Sequence, residues 1–175
     1  DELSARLENT ACRLLTVVGP GGCGKTRLAI EAAYRQFDHF KQGVFFVPMA
    51  GIHTIQAIPQ AIAQALGFLF GPEGDPWQQI LNYLRQKQIL LVLDNFEHLL
   101  EGVGLVVELL LAAPGVKALV TSRTRLNVLE ENLFPLGGME IPDPLLPDSS
   151  PADLASYASV KLFLEGAQRV KPGFS

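Results

Sequence analysis

Apolar and polar positions follow one another along this chain in two rhythms. Four short segments are almost uninterruptedly apolar: 13–19 (RLLTVVG), 43–50 (GVFFVPMA), 89–94 (ILLVLD) and 116–122 (VKALVTS). Runs of this length, rich in branched aliphatic residues, predict strands covered on both faces. Pro48 weakens the far end of the second, because proline gives up a ladder donor. Between the strands the apolar positions recur at helical spacing. Leu28, Ala29, Ala32, Ala33 and Phe37 line one side of a predicted helix over 25–40. Ile55, Ile58, Ile62 and Leu66 do so over 54–66, with Thr54 as N-cap and Pro59 either distorting the first turn or delaying the start. After the loop GPEGDP, Asp75 and Pro76 read as an N-cap and first-turn proline for a helix over 76–86 that buries Trp77, Ile80, Leu81 and Leu84. Trp77 at this spacing is core or partner surface; the alternative is a stacking platform for a base. A helix over 101–113 carries Val103, Val106, Val107, Leu110 and Leu111 on one side. A short fifth strand lies within 131–139, where Gly137 and Gly138 mark a bend, and a last helical pattern over 155–170 sets out Val160, Phe163, Leu164 and Ala167.

Strands buried on both faces and alternating with helices predict an α/β fold: a parallel sheet with helices on either side. Five of the twelve prolines fall between Pro135 and Pro151, a linker composition. The expected organisation is a core over 1–141, a proline-rich linker over 142–152 and a helix within 153–175. The total of 175 residues suits a single domain. Asp1 in place of an initiator methionine suggests a start inside a longer protein.

Charge narrows the function. Asp and Glu outnumber Lys and Arg, giving a net charge of −4, which disfavours direct nucleic-acid binding by this domain. Charged residues make up only 18% and mean hydropathy is +0.23, as expected if some faces pack on neighbouring domains. Two cysteines, Cys12 and Cys23, form no disulfide framework and are expected to be reduced. The polar start DELSARLENT is no signal peptide, and no apolar run is long enough to span a membrane. The expected location is the cytoplasm, with no membrane partner.

The first strand runs into Gly19-Pro20-Gly21-Gly22-Cys23-Gly24-Lys25-Thr26, which fits G-x-x-x-x-G-K-[ST] between a strand and a helix. The residue types suit a phosphate chain. Glycines let the backbone wrap close, and successive N–H groups form an anion nest at the positive end of the helix dipole. Lys25 supplies a mobile charge for the β- and γ-phosphates, and the Thr26 hydroxyl a ligand for Mg²⁺. Cys23 fills a free position of the motif through its N–H, with a redox role for its thiol as the alternative. Arg27, next along, completes the candidate nucleotide contacts.

Asp94 ends an apolar strand at the sheet edge where ligands bind in open α/β folds, and is the candidate second Mg²⁺ ligand beside Thr26. Asn95 stands where an acid would orient the attacking water; an amide can position water but not accept its proton. Glu97 either substitutes for that acid or, with His98, belongs to a solvated helix start favoured by the dipole. Arg123 ends the fourth strand, where a guanidinium can contact a γ-phosphate; the bland alternative is a surface arginine, and Arg125 competes for the role. Lys25, Asp94, Asn95 and Arg123 are thus the candidate catalytic residues.

GPGGCGKTRLA, LLVLDNFEHLL and LVTSRTRL, in this order and spacing, resemble the STAND-class P-loop ATPases, relatives of the NB-ARC proteins. The likeness spans about residues 12–170 and is strongest to large bacterial regulators that join such a domain to a DNA-binding or other output module and often to a tetratricopeptide array. The resemblance implies a three-layer P-loop NTPase sandwich with a five-stranded parallel sheet in the order 5-1-4-3-2. It implies ATP or dATP with Mg²⁺, ADP marking an off state and ATP an assembled one, and Arg123 as sensor arginine. It places an adenine-holding G-R-E-type segment before Asp1 and a helical domain with a G-L-P-L-A motif after Ser175. No N-K-x-D guanine motif occurs. Three functions compete: a slow regulatory ATPase switch, expected to self-associate with ATP; a non-hydrolysing nucleotide-binding scaffold; and a P-loop phosphotransferase, which would need an arginine-rich lid that the chain lacks.

Overall fold

The computed structural model describes residues 2–138, 154, 157–171 and 173–174. The chain divides into two compact units, Asp1–Leu136 and Gly137–Ser175. In the first, strands β1 (Leu14–Val18), β2 (Val44–Pro48), β3 (Leu90–Asp94), β4 (Lys117–Ser122) and β5 (Glu131–Pro135) form one parallel sheet in the order β2-β3-β4-β1-β5. This is the expected order 5-1-4-3-2 read from the other edge. Helices α1 (Glu2–Glu8), α2 (Lys25–Arg35), α3 (Ile58–Leu66), α4 (Pro76–Leu84) and α5 (Val103–Ala112) cover it.

Strand side chains alternate between faces, and the two cores sort accordingly. Leu14, Leu91, Leu93, Ala118 and Val120 pack with α3, α4 and α5 on one face. Leu15, Val17, Leu90, Val92 and Leu119 pack with α1 and α2 on the other. The three central strands are therefore buried on both sides, which is why their sequences are continuous apolar runs. Pro48 is the last residue of β2, an edge strand, where a missing ladder donor is tolerated.

Several helices differ from the sequence reading in extent or facing. The helix expected over 25–40 ends at Arg35, and a 3₁₀ turn, Phe37–His39, follows. The tighter turn breaks the helical phase, so Phe37 is 61% exposed rather than inward. A 3₁₀ turn over Ile55–Ala57 precedes α3, with Pro59 in its first turn, so the helix starts late. α4 begins as read: Asp75 accepts from the Gln78 N–H at 2.9 Å, with Pro76 in the first turn. Trp77 is core, and its indole N–H donates to Glu108 Oε2 at 2.8 Å. Glu108 itself is exposed, so its carboxylate meets solvent as well as the indole. In α5 the inner positions are Val106, Leu109 and Leu110, while Leu111 is 70% exposed. A helix apolar on nearly every side does not reveal its inner face by periodicity alone.

Helix α1 was not anticipated. Leu3 and Leu7 are buried against the α2 face, and the Arg6 guanidinium donates to Leu133 O at 2.6 Å. In the second unit, helix α6 (Ala158–Val170) buries no residue; Phe163 is 65% exposed, its ring 6.0 Å from that of Phe174. Met139, the linker over 142–152 and the expected helix start at 155 lie outside the described residues.

Candidate functional site

The site grows from the carboxyl ends of β1, β3 and β4. As β1 ends, the Gly19 N–H donates to Ser122 O at 3.3 Å and the Leu136 N–H to Val18 O at 2.7 Å. This brings the chain leaving β5 so close that a Cβ on Gly19 would lie 2.4 Å from Leu136 O. Only glycine fits there. Gly22 (φ 78°) and Gly24 (φ 93°) take the left-handed conformation that turns the loop into α2. Among the described residues no side chain caps the start of α2, so its first N–H groups could receive an anion. Lys25 Nζ donates to Gly19 O and Pro20 O, both at 2.8 Å, and so lies across the loop. Cys23 is half-buried, its Sγ tucked 2.9 Å from the place of a Gly19 Cβ.

Asp94 closes β3 beside this loop. Its Oδ1 accepts from the Thr26 hydroxyl and from the Thr121 hydroxyl, each at 2.7 Å. Asn95 turns the chain at φ 66°, and its N–H donates to Thr121 Oγ1 at 2.9 Å. Phe96 then anchors the turn: its ring is fully buried and its N–H donates to Thr121 O at 2.9 Å. Glu97 follows in a turn, not in a helix start, and its Oε1 forms an ion pair with Arg123, 2.9 Å from Nε. His98 bonds through Nε2 to Ile52 O at 2.7 Å and lies outside the cleft lining.

A cleft of about 570 Å³ is lined by Gly21, Gly22, Gly24, Lys25, Thr26, Arg27, Asn95, Glu97, Thr121 and Arg123, whereas Gly19, Pro20, Cys23 and Asp94 are not among its lining residues. Arg125 is exposed and does not line it. Sequence reasoning missed Thr121. Its only signal was a hydroxyl one place before the strand-end turn, which gains meaning once Leu93 pairs with Val120 and sets Thr121 beside Asp94.

The residues fit a nucleotide-borne Mg²⁺. Thr26 and Asp94 offer two oxygens side by side, and Mg²⁺ usually keeps water and phosphate oxygens for the rest. Among the described residues no cluster of three or more His, Cys, Asp or Glu could cage a metal by itself.

Clear pKa shifts fall at the opposite edge of the sheet. Burial pushes the Cys12 thiol up, against the nearby cations Lys117 and Arg6. Burial pulls Lys117 and Arg13 down. Lys117 Nζ donates to Asn9 O at 2.7 Å and to Leu7 O, and Arg13 Nη2 donates to Ala113 O at 2.7 Å.

This loop and fold recur in known proteins. The sequence profile of the NB-ARC domain matches residues 1–131. The chain belongs to the NB-ARC family. A Mycobacterium tuberculosis protein provisionally named HTH-type transcriptional regulator Rv0890c is 35% identical to this NB-ARC chain over 164 residues, which is 93% of the chain and 17% of that protein. The regulatory protein AfsR of Streptomyces griseus is 32% identical over 136 residues, 71% of the chain and 14% of AfsR. The chain thus spans about a sixth of the curated regulators it resembles. In fold, the NB-ARC chain is similar to the Aeropyrum pernix ORC2 protein, solved as ADPNP–ADP complexes (TM-score 0.57, 16% identity, 78% of this chain and 46% of that one). It is also similar to Drosophila ORC bound to DNA (TM-score 0.59, 13% identity, 78% of this chain and 41% of that one). Among the described residues no helix is long and apolar enough to cross a membrane.

Proposed function

We propose that this NB-ARC domain binds ATP and ADP with Mg²⁺ and acts as a slow ATPase switch within a larger cytoplasmic signalling or transcriptional regulator. The observation that carries the reading is the join between loop and strand: the Thr26 hydroxyl on Asp94 Oδ1 at 2.7 Å, beside an uncapped helix start and the Lys25 ammonium. In this reading Gly19 to Arg27 hold the phosphates, Thr26 and Asp94 hold Mg²⁺, and Arg123 senses the terminal phosphate. The metal would neutralise charge on the phosphate oxygens.

Slow turnover follows from Asn95. Its side chain can orient a water but cannot take its proton, and its backbone is committed to the turn at φ 66°. The flanking helical, repeat and output domains of the parent chain are the proposed partners, reached through the 142–152 linker and the helix within 153–175. ATP-dependent self-association belongs to the same proposal; direct contact with nucleic acid or membrane does not.

The test is calorimetry of Mg-ATP and Mg-ADP on the full-length protein and its Lys25→Ala variant, followed by phosphate release. Binding lost in the variant supports the reading, and equal binding sinks it. Binding without any phosphate release would favour a non-hydrolysing scaffold, and transfer to a nucleoside monophosphate a phosphotransferase.

A further inference from the structure

The ion pair between Glu97 and Arg123 differs from the other surface pairs described. Arg6–Glu2 and Arg35–Glu31 each join neighbouring turns of one helix. Glu97 and Arg123 instead join the turn after β3 to the end of β4. Glu97 is only 17% exposed, and its Oε2 is buried without a hydrogen-bond partner among the described residues. A carboxylate gains by turning such an oxygen to water, so stability alone does not account for its position. The fixed turn does: Asn95 at φ 66° and the buried Phe96 ring deliver Glu97 to the cleft wall.

The pair also has a particular geometry. Glu97 takes Arg123 by Nε, which leaves the two terminal nitrogens of the guanidinium fork for other acceptors. The fork lies over the phosphate loop: from the place of a Cβ on Gly21, Cζ is 3.7 Å and Nη2 3.8 Å away. Arg123 is 65% exposed, so without a second anchor its long side chain would sample many rotamers.

Resting on the nucleotide reading above, we propose that Glu97 is a positioning residue: it anchors Arg123 by Nε so that the fork stays over the loop, and the pair together distinguishes a triphosphate from a diphosphate. Glu97 acts through Arg123 and need not touch the nucleotide.

The experiment is calorimetry on the full-length protein with Mg²⁺ and either ADP or the non-hydrolysable β,γ-methylene analogue of ATP. It compares wild type, Glu97→Gln, Arg123→Ala, Arg123→Lys and the Glu97→Gln/Arg123→Ala double variant, each checked by thermal melting. Glu97→Gln should weaken the triphosphate analogue by about three- to fivefold, the scale of a partly exposed charge pair, and leave ADP unchanged. Arg123→Ala should weaken it by about ten- to a hundredfold, as for lost charge-assisted hydrogen bonds. Arg123→Lys should behave like Ala, since one ammonium cannot serve both acceptors as the fork does. The double variant should bind no more weakly than Arg123→Ala. Equal weakening of both nucleotides by Glu97→Gln, additive losses in the double variant, or tighter triphosphate binding by Glu97→Gln would each overturn the proposal while nucleotide binding itself stands. Failure of the wild-type protein to bind either nucleotide would instead overturn the functional reading on which it rests.

Discussion

Thr121 ties Asp94, the acid proposed to hold Mg²⁺, to the turn that follows it, and Thr121→Val isolates that tie. The substitution keeps shape and volume nearly constant and removes one hydroxyl from a position that is 1% exposed. Two hydrogen bonds go with it: the one the hydroxyl gives to Asp94 Oδ1 at 2.7 Å and the one it takes from the Asn95 N–H at 2.9 Å. A bond to a carboxylate contributes about 1.5–3 kcal/mol and a neutral one about 0.5–1.5 kcal/mol. Asp94 and Asn95 are both half-buried, so water recovers part of each loss, and a net destabilisation of about 1.5–3 kcal/mol is expected. In a chain of 175 residues that lowers Tm by about 3–12 °C.

Nucleotide binding should suffer separately. Thr26 alone would then hold Asp94 Oδ1, so Mg-nucleotide affinity should fall by about tenfold, a loss of some 1.4 kcal/mol. Affinity measured in excess chelator should change little. The control is Thr121→Ser, which restores the hydroxyl and loses one methyl, costing about 0.5–1.5 kcal/mol. It should melt below wild type yet keep Mg²⁺-dependent affinity. Differential scanning calorimetry and titration calorimetry read the two effects. A Thr121→Val protein that melts within a degree of wild type, or a serine variant as defective towards Mg-nucleotide as the valine one, would refute this account of Asp94.

Other outcomes follow from single contacts. Gly19→Ala should abolish nucleotide binding and lower Tm, because its Cβ would meet the Leu136 carbonyl at 2.4 Å; normal binding by a folded variant would contradict the close approach. Cys12 is buried and its thiol pKa is raised above the ordinary 9.0 by that burial. Native protein should therefore react with a thiol reagent at Cys23 first, which mass spectrometry of the labelled peptides checks. The same shift fixes a sign. Above pH 9.0 the unfolded chain loses this proton while the fold retains it, so stability falls as pH rises through that window, and Cys12→Ala should remove that part of the slope in urea melts. Glu108→Leu leaves the Trp77 indole N–H without its acceptor at 2.8 Å; it should cost about 1–3 kcal/mol and shift the fluorescence of this single tryptophan.

Local chemistry was readable in the sequence and register-dependent chemistry was not. The phosphate loop is eight adjacent residues, and Asp94 announces itself at the end of an apolar run. Thr121 and Glu97 depend on which strands lie side by side. Thr121 acquires a role because β4 pairs with β3 so that Val120 faces Leu93, and Glu97 because the left-handed turn at Asn95 aims it at the end of β4. Helix faces followed a similar divide. In α4 the polar positions mark the outer face, and all four inner residues, Trp77, Ile80, Leu81 and Leu84, are buried. In α5 the near-absence of polar positions left Leu111 on the wrong side of the reading. Helix α1 offers only Leu3 and Leu7, one turn apart, too short a pattern to show a period.

The two edges of the sheet explain how an acidic chain can carry the anion site proposed for it. At the amino edge of the strands, cations are committed to backbone carbonyls: Arg13 to Ala113 O and Val116 O, Lys117 to Leu7 O and Asn9 O. They close the ends of helices and loops there, and burial lowers the pKa of both. At the carboxyl edge the one carboxylate of β3, Asp94, is engaged by two hydroxyls. Among the described residues Lys25 is held by the carbonyls of its own loop alone, and Arg123 is paired to one oxygen of Glu97. In the proposed role an arriving phosphate would meet Lys25, Arg27 and Arg123, a glycine nest and a helix start, with Asp94 engaged by two hydroxyls and Glu97 paired to Arg123. The net charge of −4 therefore says little about this cleft, because it is the partners of each charge, more than their sum, that set the local field.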